Sequence, residues 1–138
     1  MATIIDEWFE QVWNLGRTEG VHRLMASDGI IHHLDESGED AHGADEFLVF
    51  FNRFRGAFPD IHFQVQDVVA SGEKIACRWT CTGTHRGDHL GMPATGRPVH
   101  FEGMCIVRVA DGKLAEGWNV WDTAAMNRQL TAPPTAAG

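Results

Sequence analysis

The sequence predicts an α+β fold, and three observations carry that expectation. Apolar residues recur at helical spacing in the N-terminal part of the chain, they alternate with period two from Asp60 onward, and Asp111-Gly112 separates two alternating runs as a hairpin turn. Helices segregated from a run of antiparallel strands define the α+β class.

Ile5, Trp8, Phe9, Val12 and Trp13 lie on one helical stripe, and Gly16 offers a C-terminal stop. A shorter helix is expected from Gly20 to Met25, then Asp28-Gly29 and a short strand through Ile30, Ile31, His32, His33 and Leu34. Asp35 to His42 is polar and reads as a loop. Phe47, Phe50, Phe51, Phe54 and Phe58 sit at helical offsets, so a helix is expected from Gly43 to Ala57, closed off by Pro59. Four long strands and a terminal helix from Asp122 to Leu130 complete the order. Residues 1–130 are expected to form one domain and 131–138, rich in proline and small residues, a disordered tail.

Two hairpins decide which side chains share a face. Ile61, Phe63, Val65 and Val69 alternate on one strand and Ile75, Cys77, Trp79 and Cys81 on the next. A three-residue loop at Ser71 to Glu73 puts Asp67 on the apolar face, whereas a two-residue loop turns it away. In the second hairpin, a two-residue Asp111-Gly112 loop and regular counting set Val109 opposite Leu114, Val107 opposite Glu116, Cys105 opposite Trp118 and Phe101 opposite Asp122. Asp122 then ends an apolar, aromatic face, where desolvation raises a carboxyl pKa and makes a general base. An N-cap of the terminal helix is the competing role. Trp118 and Phe101 share that face, and Trp79, Phe54 and Trp13 are expected to wall the same pocket. Adjacent strand residues point opposite ways, so one of His32 and His33 faces inward, and His33 is taken as the pocket residue.

A formal net charge of −8 argues against a nucleic-acid or anionic-membrane surface. No apolar run approaches a membrane span, and the N-terminus lacks the features of a signal peptide, so a cytoplasmic location is expected. Cys77 and Cys81 are about 13 Å apart along a strand, too far to bridge, and all three cysteines read as reduced core residues. His85-x-x-x-His89 has ligand-like spacing but sits in a Gly-containing loop without a third ligand, so no metal is expected.

Phe58-Pro59-Asp60, Gly83-Thr84-His85-Arg86-Gly87, Leu90-Gly91-Met92-Pro93-Ala94-Thr95-Gly96-Arg97, Asp111-Gly112-Lys113 and Glu116-Gly117-Trp118-Asn119-Val120-Trp121-Asp122, in this order, resemble the SnoaL-like polyketide cyclases. The resemblance implies the cone-shaped fold of nuclear transport factor 2: a curved antiparallel sheet wrapped on N-terminal helices around a deep pocket. It implies intramolecular aldol closure of a polyketide ester without metal or organic cofactor, with Asp122 in the place of the family's base. The family's common Glu-His-Trp is here Glu116-Gly117-Trp118, so that histidine is missing.

Aldol closure needs a base for a carbon-bound proton, donors for the enolate and a dry pocket. The expected ligand is therefore a small hydrophobic carbonyl compound, and the expected assembly a homodimer built on the second sheet face through Met104, Ile106 and Trp121. A ketosteroid-isomerase-like proton transfer is the nearest alternative reaction. A non-catalytic module for a hydrophobic ligand is the alternative class.

Overall fold

Residues 3–34 and 39–131 are described in the computed structural model. The tail expected to be disordered lies outside the described residues from 132 onward, as do residues 35–38 of the expected polar loop.

The chain begins with α1 (Ile4–Glu7), capped reciprocally by Thr3 and Asp6, and runs on as a π-helical segment, Trp8–Asn14. The wider turn still buries the whole predicted stripe: Ile5, Trp8, Phe9, Val12 and Trp13. Gly16 ends the segment at φ +68°, a left-handed backbone that glycine adopts without strain. There follow α2 (Glu19–Leu24), β1 (Met25–His32), the two-residue β2 (Ala41–His42) and α3 (Gly43–Ala57). The predicted limits of α3 match, and Phe47, Phe50, Phe51 and Phe54 are its buried face.

The strands β3 (His62–Ser71), β4 (Lys74–Thr84), β5 (Pro98–Ala110) and β6 (Lys113–Trp121) precede α4 (Thr123–Thr131). The sheet order is β2-β1-β6-β5-β4-β3. β1 runs parallel to β6, with Ile30 opposite Glu116 and His32 opposite Trp118. The expected α+β arrangement of a curved sheet on N-terminal helices is present; the sheet is unclosed, and the parallel β1–β6 pair makes it mixed where it was expected to be antiparallel throughout. β1 also begins five residues earlier than the apolar run, because an irregularity between Met25 and Ile30 absorbs Ser27-Asp28-Gly29.

Helices cover one face of the sheet, and an aromatic core fills the space between. Trp121 is its hub, with ring centroids 5.0 Å from Trp79, 5.1 Å from Phe54, 5.5 Å from Phe63 and 5.8 Å from Trp13. The free edge of β3 is met by Asn14, whose Nδ2 donates to Phe63 O at 2.9 Å while its Oδ1 accepts from Phe63 N at 2.7 Å. Among the described residues no helix is long and apolar enough to cross a membrane.

Candidate active site

The Asp111-Gly112 turn forms with both residues at positive φ, and Ala110–Lys113 and Val109–Leu114 pair as counted. The ladder then shifts by one residue: Arg108 faces Glu116, Val107 faces Gly117, Ile106 faces Trp118, Cys105 faces Asn119 and Gly103 faces Trp121. Ala115 is the extra residue of this bulge. The expected pairs Cys105–Trp118 and Phe101–Asp122 are therefore replaced, and every side chain beyond the bulge changes face.

Burial energetics explains the shift. The regular register would send Glu116 and Asp122 into an apolar core, at several kcal/mol per unpaired carboxylate, and would expel Trp121. The bulge leaves one residue unpaired and places Trp121, only 9% exposed, in the aromatic hub.

A cavity lies between the π-helical segment and the sheet. Trp8, Phe9 and Trp13 wall it on one side, Ile31, Leu34 and Phe47 on another, and Cys105, Val107, Gly117, Asn119 and Trp121 form its floor, with Glu116 at the border. About 40 Å³ of it is open to water, room for about three water molecules. Asn119 is the polar side chain that the bulge turns to this floor, and its Nδ2 donates to His32 O at 3.0 Å. Sequence reasoning missed it by placing it on the other face.

At the border the outer face carries a polar cluster that was also missed. His32 Nε2 meets Glu116 Oε2 at 2.7 Å and its Nδ1 meets Asp40 Oδ1 at 2.9 Å. Arg108 Nη2 stands 3.5 Å from the other Glu116 oxygen, and Trp118 stacks on the imidazole at 5.6 Å. The bond to Glu116 raises the His32 pKa above its ordinary value, and the same bond lowers that of Glu116. Ionised carboxylates only accept, so protonation of the imidazole lets both ring nitrogens donate to them.

The predicted site residues divide between the two faces. Trp13, Phe54, Trp79 and Phe101 are buried together in the aromatic core, and Trp13 borders the cavity. Trp118, His33 and Asp67 line a groove of about 500 Å³ on the opposite, outer face. His33 leaves the strand at φ +59° and is exposed, so strand alternation stops at His32 and neither ring enters the cavity. The β3–β4 turn is the two-residue Gly72-Glu73, and a bulge between Val65 and Asp67 sets Val65 opposite Trp79. Asp67 consequently faces outward and accepts from Arg78 Nε at 2.7 Å.

Asp122 is exposed on the outer side, where its Oδ1 accepts from Ala125 N at 3.0 Å and caps α4. It borders a depression shared with Arg78, Glu102, Met104 and Val120. Among the described residues, no three potential metal-ligating side chains come together. His85 is fully buried, with Nδ1 bound by Thr95, whereas His89 is exposed.

An open α+β sheet closed on one face by N-terminal helices, with an apolar cavity between, defines the class of fold. The model of the SnoaL-like polyketide cyclases matches residues 3–130, and the chain belongs to that family. Aklanonic acid methyl ester cyclase DnrD from Streptomyces peucetius is 27% identical over 142 residues, covering 100% of this chain and 98% of the relative. IdmH from Streptomyces antibioticus superposes with a TM-score of 0.80 at 32% identity, over 92% of this chain and 95% of that one. A SnoaL-like protein from Jannaschia sp. CCS1 gives a TM-score of 0.84 at 22% identity, over 95% and 91% of the two chains.

Proposed function

We propose that this chain is a cofactor-independent acid–base enzyme that closes a ring in a hydrophobic polyketide ester by intramolecular aldol addition. The observation that carries the reading is the apolar cavity under the N-terminal helix, in a chain whose relative DnrD is an ester cyclase. The π-helical wall supports it, since π turns within helices are frequent at functional sites. Asn119 is the amide available on the cavity floor to hydrogen-bond a substrate oxygen. At its present volume the cavity admits a polyketide only if its aromatic walls move apart.

Asp122 is the general base that the family resemblance implies. To reach the cavity it must release Ala125 N and turn across the end of β6, so its base role and its capping role exclude each other in time. Glu116 is the competing carboxylate, because it already borders the cavity and hydrogen-bonds His32. Turnover of aklanonic acid methyl ester by the wild type, Asp122→Asn and Glu116→Gln tests the assignment. Loss of the base costs about 10²–10⁴-fold in rate. Normal turnover by Asp122→Asn with loss in Glu116→Gln moves the base to Glu116.

The small cavity favours one second reading, a module that binds a hydrophobic ligand without converting it. Saturable binding without turnover by the wild type establishes that reading instead. In either case the assembly proposed is a symmetric homodimer on the outer face, where Val69, Met104, Ile106 and Val120 are 45–72% exposed. Trp121, expected there, belongs to the core.

A further inference from the structure

Cys77 on β4 stands directly opposite Cys105 on β5, and each is 4% exposed. Directly opposed residues of an antiparallel ladder have Cα atoms about 4.5 or 5.5 Å apart. Both spacings lie within the range of about 4.4–6.8 Å over which a disulfide closes without moving the backbone. The bridge excluded from sequence, Cys77 to Cys81, joined residues along one strand; the pair that meets lies across two.

The two thiols already interact. Their contact lowers the Cys77 pKa and, with burial, raises that of Cys105, which makes Cys77 the better nucleophile of the two. Cys81 is different: it faces Phe101, its thiol points to Thr82 O at 3.8 Å, and burial pushes its pKa far up. Cys105 borders the inner cavity and Cys77 lies beside it across the ladder, so a reactant of a few atoms reaches the pair from the cavity side.

We propose that Cys77 and Cys105 form a two-thiol site that reacts with a hydroperoxide and closes reversibly to a cross-strand disulfide. The Cys77 thiolate attacks the peroxide O–O bond and takes one oxygen as a sulfenic acid, while the other leaves as alcohol or water. The Cys105 thiol attacks that sulfur, the Sγ–Sγ bond forms, and water departs. Two thiols and one hydroperoxide give one disulfide, one alcohol (water for hydrogen peroxide) and one water, with two electrons passing to the peroxide. A small dithiol reverses the closure by exchange. The closed bridge lies on the cavity floor beside Asn119, the residue that faces Cys105 from β6.

The test uses the wild-type chain, reduced, freed of reductant and exposed to hydrogen peroxide, with thiols counted after denaturation. The count of three falls to one, the intact mass drops by two hydrogens, peptide mapping links residues 77 and 105, and dithiothreitol restores all three. Cys81→Ser loses both remaining thiols in the same way. In Cys105→Ser the reaction stops at a Cys77 sulfenic acid, captured by dimedone. Three persisting thiols, loss centred on Cys81, a bridge between chains, or unlinked sulfinic acid on Cys77 each overturn the proposal. The wild-type count and mass decide it even if a variant fails to fold.

Discussion

His32 and Glu116, 84 residues apart in sequence, meet at 2.7 Å across the parallel β1–β6 pair. The bond ties the two strands that border the mouth of the cavity, and Asp40 extends it to the chain entering β2.

Stability is expected to follow the charge state of this pair. The folded pKa of His32 is raised, so its contribution is full below the ordinary imidazole value of about 6.5 and is lost as pH rises through the higher folded value. The Glu116 pKa is lowered, so its contribution is present above the ordinary carboxylate value and is lost as pH falls through the lower one. The melting temperature of the wild type relative to His32→Gln is expected to be greatest in weakly acidic buffer. A difference that grows steadily towards alkaline pH contradicts the assignment.

Capping by Asp122 is measurable without a substrate. Asp122→Ala is expected to cost about 0.5–2 kcal/mol, whereas Asp122→Asn, an equally good cap, leaves the melting temperature nearly unchanged. Equal destabilisation by both substitutions argues for a carboxylate-specific contact in place of a cap.

The two tryptophans of β6 should separate sharply in chemical denaturation. Trp121→Ala removes the hub of the aromatic core and is expected to cost about 3–5 kcal/mol. Trp118→Ala loses the stack on His32, worth about 0.5–1.5 kcal/mol. The opposite ranking would restore the unbulged register.

Gly103 allows Trp79 to lie flat against β5. A Cβ there would stand 2.4 Å from Trp79 Cζ2 and 2.5 Å from Val120 O, and the latter is backbone that cannot step aside. Gly103→Ala is therefore expected to destabilise by about 1–3 kcal/mol through overpacking. An unchanged midpoint would show that the sheet flexes more readily than this contact implies.

For the proposed dimer, light scattering on Ile106→Lys and Val120→Lys is the check. Each puts a charge on the outer apolar patch, and both are expected to shift a dimeric wild type to monomer while retaining the fold. A wild type that is monomeric at micromolar concentration removes the premise.

Much of this architecture is written in local pattern. The phenylalanine spacing of α3 and the Asp111-Gly112 turn emerge as read, because period and turn chemistry are properties of neighbouring residues. The face of each β6 residue is not local. Glu116-Gly117-Trp118-Asn119-Val120-Trp121 carries an aromatic in both alternating sets, so hydrophobicity does not choose between registers, and a single bulge at Ala115 does. Asp67 turned on a similar detail, a shorter loop compensated by a second bulge. The His32–Glu116 contact had no signal at all, because it depends on a parallel pairing between distant segments.

The Ala115 bulge also bears on how site residues are carried from one relative to another. Position in an alignment fixes a residue along a strand but not the side of the sheet it occupies. A homologous chain that places its extra residue elsewhere on this strand would line its cavity with the complementary set of side chains from a nearly identical motif. The strand thus encodes two linings, one with the amide of Asn119 inward and one with the carboxylate of Asp122 inward. In this chain exchanging them would also bury Glu116 and expel Trp121 from the core, so the other lining requires compensating changes of composition as well as of strand length.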